Sequence, residues 1–280
     1  LPSTTVAITP LKPIITSANY AADTKILTVT GTNFLALAGA GNDIVASKFT
    51  ITAEGGLTRT LTATNVDRTS ATSFAITLSS NDQTTLNTII NKNGTTSTGN
   101  TTYNLSAATG WAAGEDASVN TAQATIALTV ANVGIPTITS STYDAGNGVL
   151  VVTGTNLLSL AGINNDIVVN KFTVTGEGGA TYTFSNANNV DITSATSFTM
   201  VLNTVDRAGV YNLLNKNGTQ SAGTTTYNLA AAEDWNAGAD INVNIVDLTN
   251  NGITVSNVDP VLPVVLASFT ATKSERDITL

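Results

Sequence analysis

The chain of 280 residues contains no cysteine and no histidine. The absence of cysteine excludes disulfide bridges, thiolate metal sites and thiol nucleophiles. The absence of histidine removes the most common general base and zinc ligand, and with them every catalytic triad built on an imidazole. Most familiar catalytic chemistries are therefore unavailable, and we predict a protein that is not an enzyme and carries no cofactor.

Charged side chains are scarce as well. They make up 11% of the chain, with 11 Lys and Arg against 19 Asp and Glu. Binding to nucleic acid needs clustered basic residues that neutralise phosphates, and the scattered basic residues here predict no such partner. No apolar run approaches the roughly 20 residues of a membrane-spanning helix, so we predict no membrane span. The hydrophobic fraction of 42% is still sufficient to build folded cores.

The dominant feature is an internal repeat. TVTGTNFLALAGAGNDIVASKF (28–49) returns as VVTGTNLLSLAGINNDIVVNKF (151–172), and the similarity extends over residues 13–133 and 136–258. A unit of about 120 residues is too long for a solenoid repeat and has the usual size of one domain. We predict four segments: an N-terminal arm (1–12), repeat 1 (13–134), repeat 2 (135–259), and a C-terminal strand segment or start of a truncated third domain (260–280).

Each repeat has the pattern of short strands separated by Gly, Asn and Asp turns. In repeat 2, Asp144-Ala145-Gly146-Asn147 and Glu177-Gly178-Gly179 are hairpin signatures, and Phe and Val alternate with Thr around the second of them. The predicted strands lie within 136–143, 148–155, 170–176, 180–185, 196–203, 225–229, 241–246 and 252–258. Many short strands in one unit of this size are typical of a β-sandwich.

One segment of each repeat is predicted to form a short helix, near 82–92 and 206–216. In the second, Val210, Leu213 and Leu214 follow helical spacing, Asp206 is a candidate N-cap and Gly218 follows the end. An apolar stripe this short favours a helix that caps one end of the sandwich over a membrane or partner helix.

The segment VTGTNF (29–34), repeated as VTGTNL (152–157), resembles the start of IPT/TIG-type Ig-like domains, in which a strand runs into a Gly-Thr-Asn turn. The resemblance implies that the sandwich is Ig-like. The expected fold class is therefore all-β, with two tandem Ig-like β-sandwich domains, each with one short helix, and a C-terminal strand segment.

The tail, LPVVLASFTATKSERDITL (262–280), resembles the LPV-x-L-x-SF-x-A segment near the C-terminus of many secreted Bacteroidota proteins. In those proteins it opens a small Ig-like or fibronectin-like domain ahead of a type IX secretion sorting domain. The resemblance implies an extracellular or bacterial cell-surface location and no particular activity. Because the chain starts at Leu1 without a signal-peptide pattern, we expect it to be a processed or excised piece of a longer protein.

Several acidic residues recur in both repeats. Asp43 and Asp166 share an Asn-Asp-Ile-Val context; the other pairs are Glu54/Glu177, Asp67/Asp191, Asp82/Asp206 and Asp116/Asp240. Calcium takes six to eight oxygen ligands, often from several carboxylates in one loop, and no such loop is present. Turn formation and helix capping explain isolated aspartates without a metal. We therefore assign no catalytic, cofactor-binding or metal-binding residue, and whether calcium binds near Asp43 and Asp166 stays open.

Two further recurring features have alternative interpretations. Lys48 and Lys171, with Glu54 or Glu177 and Asn132 or Asn257, have the residue types of the Lys-Asn isopeptide bonds of some bacterial pilins. The strand alternation favours lysines that point to solvent. Trp111 and Trp235 are either sugar-stacking platforms of a carbohydrate-binding module or hydrophobic plugs under a loop, and the lack of neighbouring aromatics favours the plug.

Three functions are compatible with these patterns. The first is a structural repeat of an extracellular stalk, adhesin or filament that gives reach and assembly at the bacterial surface. The second is a pair of carbohydrate-binding modules of a secreted enzyme. The third, a glycoside hydrolase with paired carboxylates, is disfavoured by an aromatic content of 5%.

The ends of the chain suggest how it assembles. The junction 133–136 is short, apolar and ends in proline, which predicts a semi-rigid, end-to-end arrangement of the repeats. Residues 262–271 and the apolar N-terminal arm are loose strand candidates, which other chains can bind by strand addition. The expected partners are copies of the same chain or other surface proteins, contacted through these terminal strands.

Overall fold

The computed structural model describes residues 10–185, 188–192 and 194–259, and the backbone of one strand pair near the C-terminus. The elements of repeat 1 are β1 (Ile14–Ala21), β2 (Ile26–Thr32), β3 (Phe49–Thr52), β4 (Thr58–Thr60), β5 (Ser73–Thr77), α1 (Ser80–Ile89), β6 (Asn104–Ala107) and β7 (Gln123–Ala131). Those of repeat 2 are β8 (Thr137–Asp144), β9 (Val149–Thr155), β10 (Phe172–Thr175), β11 (Thr181–Thr183), β12 (Ser197–Val201), α2 (Thr204–Tyr211), β13 (Asn228–Ala231) and β14 (Ile253–Ser256). The C-terminal pair is β15 (Thr272–Lys273) and β16 (Ile278–Thr279).

The strands of each repeat form two facing layers. In repeat 1 the strand order is β4-β3-β6-β7-β1-β2-β5, and β7 pairs antiparallel with β6 and then parallel with β1, so that it passes from one layer to the other. Repeat 2 has the layers β11-β10-β13 and β12-β9-β8-β14, with β14 parallel to β8. The described part of the chain is therefore two tandem Ig-like β-sandwiches with one helix each, which confirms the predicted fold class.

The last strand differs between the repeats. β7 is continuous, whereas repeat 2 has only the short β14, preceded by Asn250 with a positive φ of 68°. The buried Asn251 takes the place of Ile126: the backbone N–H of each donates to an Asn side chain of the preceding strand. Because the Asn251 amide is buried, it needs partners, and it donates to the backbone and side-chain oxygens of Asp247 at 3.0 and 2.8 Å.

Each sandwich has its own core around a tryptophan. Trp111 lies within 5.5–5.8 Å, centroid to centroid, of Phe34, Phe49 and Phe74, which come from both layers and the loop between them. In repeat 2 fewer aromatic rings surround Trp235, because Leu157 replaces Phe34. Offset and edge-to-face rings at these distances stabilise a core beyond the burial of their area.

The two helices begin earlier than the sequence predicts. The N-caps are Ser79 and Asn203, whose side chains accept hydrogen bonds from the backbone N–H of Asp82 and Asp206. The predicted cap Asp206 is therefore the third residue of its helix. Asn and Ser are as good at the N-cap position as Asp, so the helix begins one turn earlier, after Asn203. α2 also ends at Tyr211, earlier than the predicted Lys216.

Residues 241–246 form no strand, contrary to the prediction from their alternating pattern. Side chains of Asp240 and Asn244 accept hydrogen bonds from backbone N–H groups two residues further on, which is the geometry of Asx turns. The loop covers the indole of Trp235, whose N–H donates to the carbonyl of Ile245 at 2.7 Å. Ile245 and the partly buried Val243 therefore close the core from a loop, whereas Ile241 is exposed.

The strand candidate 262–271 and residues 1–9 lie outside the described residues. Among the residues that the structure describes, no helix has both the length and the apolar character needed to cross a membrane.

Gly209, in the middle of α2, packs directly against the ring of Tyr182, and a Cβ there would lie 2.2 Å from the ring. Repeat 1 has Thr85 and Arg59 at these two positions. We expect Gly209→Ala to destabilise repeat 2 by about 1–3 kcal/mol through overpacking, although alanine is the better helix former by about 1 kcal/mol. Urea unfolding followed by Trp235 fluorescence in a Trp111→Phe background measures this. Adding Tyr182→Arg should remove the penalty, and a stabilised Gly209→Ala chain would contradict the prediction.

Candidate functional site

An aspartate pair lies at the same place in each sandwich. Ile44 forms an antiparallel bridge with Val66, which brings the neighbouring Asp43 and Asp67 together. The matching bridge between Ile167 and Val190 brings the recurring residues Asp166 and Asp191 together in repeat 2. Asp67 and Asp191 each accept a hydrogen bond from a glycine N–H of the preceding loop, at 3.1 and 3.0 Å. Backbone pairing thus assembles two carboxyl groups that are distant in sequence.

In each pair the pKa of the first aspartate is raised. Desolvation raises the pKa of Asp43, and the adjoining Asp67 carboxyl raises it further, whereas the Arg68 guanidinium lowers it. Desolvation and Asp191 raise the pKa of Asp166, and Ile192 stands at the position that Arg68 occupies in repeat 1. In both pairs the Oδ1 atom of the first aspartate is buried without a hydrogen-bond partner among the described residues.

Each pair contributes two carboxyl groups toward the oxygen ligands of a calcium site. Within the described ranges, no three His, Cys, Asp or Glu side chains are placed to hold one metal ion. Two carboxylates fall short of the six to eight oxygens of a typical calcium site. The geometry therefore supplies two neighbouring carboxyl groups in each repeat, and we assign no metal to them.

Replacing Asp166 by asparagine should stabilise repeat 2 at neutral pH. Because the folded-state pKa of Asp166 is raised, its contribution to stability is complete below the unfolded value of about 3.8 and is lost as the pH rises through the folded value. We expect Asp166→Asn to raise the melting temperature at pH 7 and to have less effect near pH 3. Asp43→Asn, the matched control, should have the smaller effect because Arg68 already offsets the charge. Equal melting curves for Asp166→Asn and the parent chain at both pH values would contradict this.

Glu54 and Glu177 have a structural role that the sequence patterns did not reveal. Glu54 accepts hydrogen bonds from the Asn91 side chain at 3.0 Å and from the Gly99 N–H at 2.8 Å. Glu177 makes the same two bonds to Asn215 and Gly223. Burial raises the pKa of Glu54, but these bonds more than offset it and leave the pKa lowered. The repeated NKNG motif therefore fixes the loop after each helix to the β3–β4 or β10–β11 hairpin.

Within the part of the chain that the structure describes, a buried ion pair occurs only in repeat 1. Arg68 donates to the carbonyls of Asn42 and Ala113 and to the carboxylate of Glu115, each at 2.5 Å. Repeat 2 replaces the two charged residues by the buried Ile192 and Ala239. The sequence patterns did not reveal this pair, because the recurring residues were the guide and Arg68 and Glu115 occur in one repeat only.

The remaining recurring aspartates hold local structure. Asp82 accepts hydrogen bonds from Thr62 and Arg59, and Asp206 accepts them from Tyr182 at 3.0 Å and from the Ser185 N–H at 2.6 Å. Both aspartates are completely buried and link the helix to the neighbouring strand. The last pair, Asp116 and Asp240, accepts bonds from N–H groups two residues further along the chain. Hydrogen bonds to neighbouring groups therefore account for all four aspartates.

Trp111 and Trp235 are fully buried. Their indole N–H groups donate to the carbonyls of Thr121 and Ile245 inside the fold, at 2.9 and 2.7 Å. A sugar-binding platform needs an exposed ring face, which neither tryptophan has. The plug interpretation therefore describes both residues, and the platform interpretation is wrong for them.

The residues of an isopeptide bond are not brought together. Lys48 is exposed and Lys171 is half-buried. Asn132 and Asn257 end the last strand in left-handed conformations, and the Asn132 amide donates to Asp23 at 3.1 Å. Glu54 and Glu177, which would have served as the carboxylate, are engaged in the loop network described above.

The junction between the repeats is the most extensive candidate site. We call the surface of repeat 1 that faces repeat 2 its trailing pole (residues 90–93, 98 and 132–134), and the opposed surface of repeat 2 its leading pole (residues 156–160, 195–196 and 238–245). Thr98 donates to the carbonyl of Gly238 at 3.0 Å across the junction. Leu160 of the leading pole packs against the core of repeat 1.

Apolar contacts close the centre of the junction. Leu158 is only 4% exposed, and with Val133 and Val243 it lines a cavity of about 20 Å³ between the poles. A wider groove of about 530 Å³ runs along one side, between α1 and the loop after β9. A Cβ on Gly134 would lie 2.6 Å from the side chain of Asn156, so the chain passes closely over the leading pole.

Electrostatics also connect the two poles. Burial raises the pKa of Tyr103 to about 12, and negative charges contribute to the shift, from Glu54 within repeat 1 and from Asp240 across the junction. Lys92 and Asp240 line the same small cavity from opposite sides. Only residues 132–136 separate β7 from β8. Because this connection is short, the repeats stay close together, and a large movement of one relative to the other would break these contacts.

No protein-family model matches the chain, and no curated protein matches it. Solved structures similar to it include the N-terminal four Ig domains of Dscam1 isoform 8.4, at 9% identity and a TM-score of 0.22 over 89% of this chain and 50% of that one. A second Dscam structure, solved for the basis of isoform specificity, has 7% identity and a TM-score of 0.21, over 89% of this chain and 51% of that one. The chain spans about half the length of these chains. Likeness this low carries no argument, and the fold assignment rests on the strand order.

Proposed function

We propose that the chain is a non-catalytic structural repeat of an extracellular stalk, adhesin or filament, which gives reach and assembly at the bacterial surface. The observation that carries the proposal is the junction: a short connection, a hydrogen bond and buried leucines hold one Ig-like sandwich to the next. Tandem domains that are fixed end to end transmit position and force along the chain, which is what a stalk or fibre requires.

The surroundings of the junction support a structural function. The recurring carboxylates serve loop and helix contacts, and both tryptophans are internal.

The resemblance of residues 262–280 to the tail of secreted Bacteroidota proteins supports the surface location and export by type IX secretion. The segments 1–12, 13–134, 135–259 and 260–280 are proposed as arm, two repeats and terminal segment. The carbohydrate-binding alternative depended on exposed tryptophans, and no described contact favours it.

Rigidity of the junction tests this function. In weakly aligned samples, residual dipolar couplings of the two repeats should fit one common alignment tensor, because a rigid pair tumbles as one body. Leu158→Asp places a charge in the apolar centre of the junction and should produce two different tensors. Leu35→Asp, at the matching but exposed position of repeat 1, is the control and should keep one tensor. Separate tensors in the parent chain would contradict the proposal.

The terminal segments remain part of the proposal for assembly. Strand addition by residues 1–12 or 260–280 predicts that deleting either segment reduces polymer or complex formation and leaves both sandwiches folded. Light scattering and circular dichroism on the two truncated chains check these outcomes. Unchanged assembly in both would exclude the terminal-strand route.

A further inference from the structure

The two poles that form the junction are each present a second time, without a partner among the described residues. The trailing pole of repeat 2 comprises residues 214–217, 222 and 257–259, and the leading pole of repeat 1 comprises residues 33–37, 71–72 and 114–121. These ranges follow from the internal repeat. Counterparts of the leucines and of the charged residues at the junction are therefore available a second time at the two ends of the pair, whereas Ala222 in place of Thr98 cannot donate the hydrogen bond of the junction.

Matched residues show that the free poles lack the cover that the junction provides. Leu35 is 47% exposed and Leu37 is 55% exposed, whereas their counterparts Leu158 and Leu160 are buried and half-buried in the junction. The same holds for the trailing poles. Asn91, Lys92 and Thr98 are each less exposed than the matching Asn215, Lys216 and Ala222. Exposed apolar side chains that are covered in a sister domain mark an interaction surface.

The trailing pole of repeat 2 also keeps the shape of its counterpart. A groove of about 470 Å³ adjoins it, lined by Tyr143, Arg207 and Tyr211 outside the pole and by Leu214 and Val258 of the pole. Four of these positions correspond to residues that line the groove at the junction: Gln83, Asn87, Ile90 and Val133. The backbone that frames the pole is repeated as well, since Asn93 and Asn217 accept hydrogen bonds from the N–H groups of Val133 and Val258, at 3.0 and 2.9 Å.

Charge complementarity is preserved between the free poles. At the junction, Lys92 of the trailing pole and Asp240 of the leading pole line one cavity. Their counterparts are Lys216 on the trailing pole of repeat 2 and Asp116 on the leading pole of repeat 1. Opposite charges therefore meet again if the free poles join in the same register.

We infer that the trailing pole of repeat 2 binds the leading pole of repeat 1 of a second copy of this chain and reproduces the internal junction between chains. The inference rests on the proposed function and deepens it by naming the partner. Such a contact uses two different surfaces, so it is heterologous, and repetition of the contact adds chains head to tail.

Asp259 of the free trailing pole differs from its counterpart at the junction, Gly134, and therefore tests whether the contact between chains has the same alignment as the junction. Asp259 stands where the junction has Gly134, a position at which a Cβ meets the Asn156 side chain at 2.6 Å. In the contact between chains, Asp259 therefore crowds Asn33 of the second copy. Asp259→Gly restores the residue of the junction and should strengthen association between chains. Unchanged or weaker association would contradict this register.

Sedimentation equilibrium of the intact chain tests the contact itself. The average mass should rise above the monomer mass of 28.6 kDa as the chain concentration approaches about 1 mM. At this concentration the free poles encounter each other about as often as two domains that are joined by a short linker. The double variant Leu35→Asp with Leu37→Asp should weaken association about tenfold or more because it places charge in the apolar contact. Tyr211→Asp, which places a charge in the groove beside the trailing pole, should weaken association as well. Leu57→Asp is the matched control, since Leu57 is equally exposed at 46% and its repeat counterpart lines neither the cavity nor the grooves of the junction.

Mixing the variants identifies the geometry. The Leu35/Leu37 variant retains a functional trailing pole and Tyr211→Asp retains a functional leading pole, so the mixture should form dimers and nothing larger. A chain that stays monomeric at about 1 mM, with or without residues 260–280, would overturn the inference. Pole variants that associate like the parent would overturn it as well. In either case, a common alignment tensor for the two repeats would leave the proposed function standing.

Discussion

Glu115→Ala is expected to reduce the free energy of unfolding of repeat 1 by about 3–5 kcal/mol, because it leaves the guanidinium of Arg68 buried without its carboxylate. Arg68 is 1% exposed, and its remaining donors face only the backbone carbonyls of Asn42 and Ala113. The expected result is a lower urea midpoint for repeat 1 alone.

The double variant Arg68→Ile with Glu115→Ala has a different expected outcome. It introduces the residues that repeat 2 carries at these positions, Ile192 and Ala239, both of which are buried in a folded sandwich. Replacing a buried ion pair by apolar side chains is often neutral or stabilising, so the double variant should unfold within about 1 kcal/mol of the parent or at higher urea.

A single tryptophan in each repeat makes this measurement selective. In a Trp235→Phe background, fluorescence reports only on Trp111 and therefore on repeat 1. A double variant as unstable as Glu115→Ala would show that the ion pair is required and that the two repeats are not interchangeable at this site.

Asp82→Ala is the second large expected effect, at about 3 kcal/mol or more. The carboxylate of Asp82 is fully buried and accepts hydrogen bonds from the Thr62 N–H and hydroxyl and from Arg59, whose guanidinium lies at 2.8 Å. Its removal leaves these donors without an acceptor beneath the helix. The matched variant Asp206→Ala should cost less, about 1–3 kcal/mol, because Tyr182 donates from a neutral hydroxyl in place of a guanidinium.

The pH dependence of this effect has a definite sign. Burial raises the pKa of Asp82, but hydrogen bonds from Thr62, Ser79 and Arg59 more than offset it, so the folded-state pKa is lowered. The stability that Asp82 contributes is present above its unfolded pKa of about 3.8 and is lost as the pH falls through the lower folded value. The difference between Asp82→Ala and the parent should therefore shrink below about pH 4. A difference that is constant down to pH 2 would contradict this assignment.

The fold could be predicted because repetition and alternation are local signals. The hairpin at Glu177-Gly178-Gly179 requires a positive φ at Gly178, and glycine at that position predicts the turn without knowledge of the rest of the chain. The alternation of Phe172 and Val174 with threonines likewise fixes which face is buried. Residues 241–246 show the limit of this reasoning, because an alternating pattern does not distinguish a strand from a loop whose apolar side chains close a core.

The candidate site could not be predicted from recurrence. Leu35 and Leu158 occupy matching positions with the same side chain, yet only one of them is covered, because coverage depends on the neighbouring repeat. Arg68 and Glu115 were missed for the opposite reason: they occur in one repeat only. The aspartate pairs depend on a bridge between Ile44 and Val66 that no local pattern indicates.

We propose that the two sandwiches form one extended, end-to-end body, and small-angle X-ray scattering of the intact chain measures that extension. Two domains of this size in line give a radius of gyration of about 22 Å or more, whereas a compact body of the same length gives about 19 Å. We predict the larger value and a distance distribution with a shoulder at the spacing between domain centres. A value near that of the compact body, with a single symmetric peak, would show that the repeats lie side by side and would contradict the account.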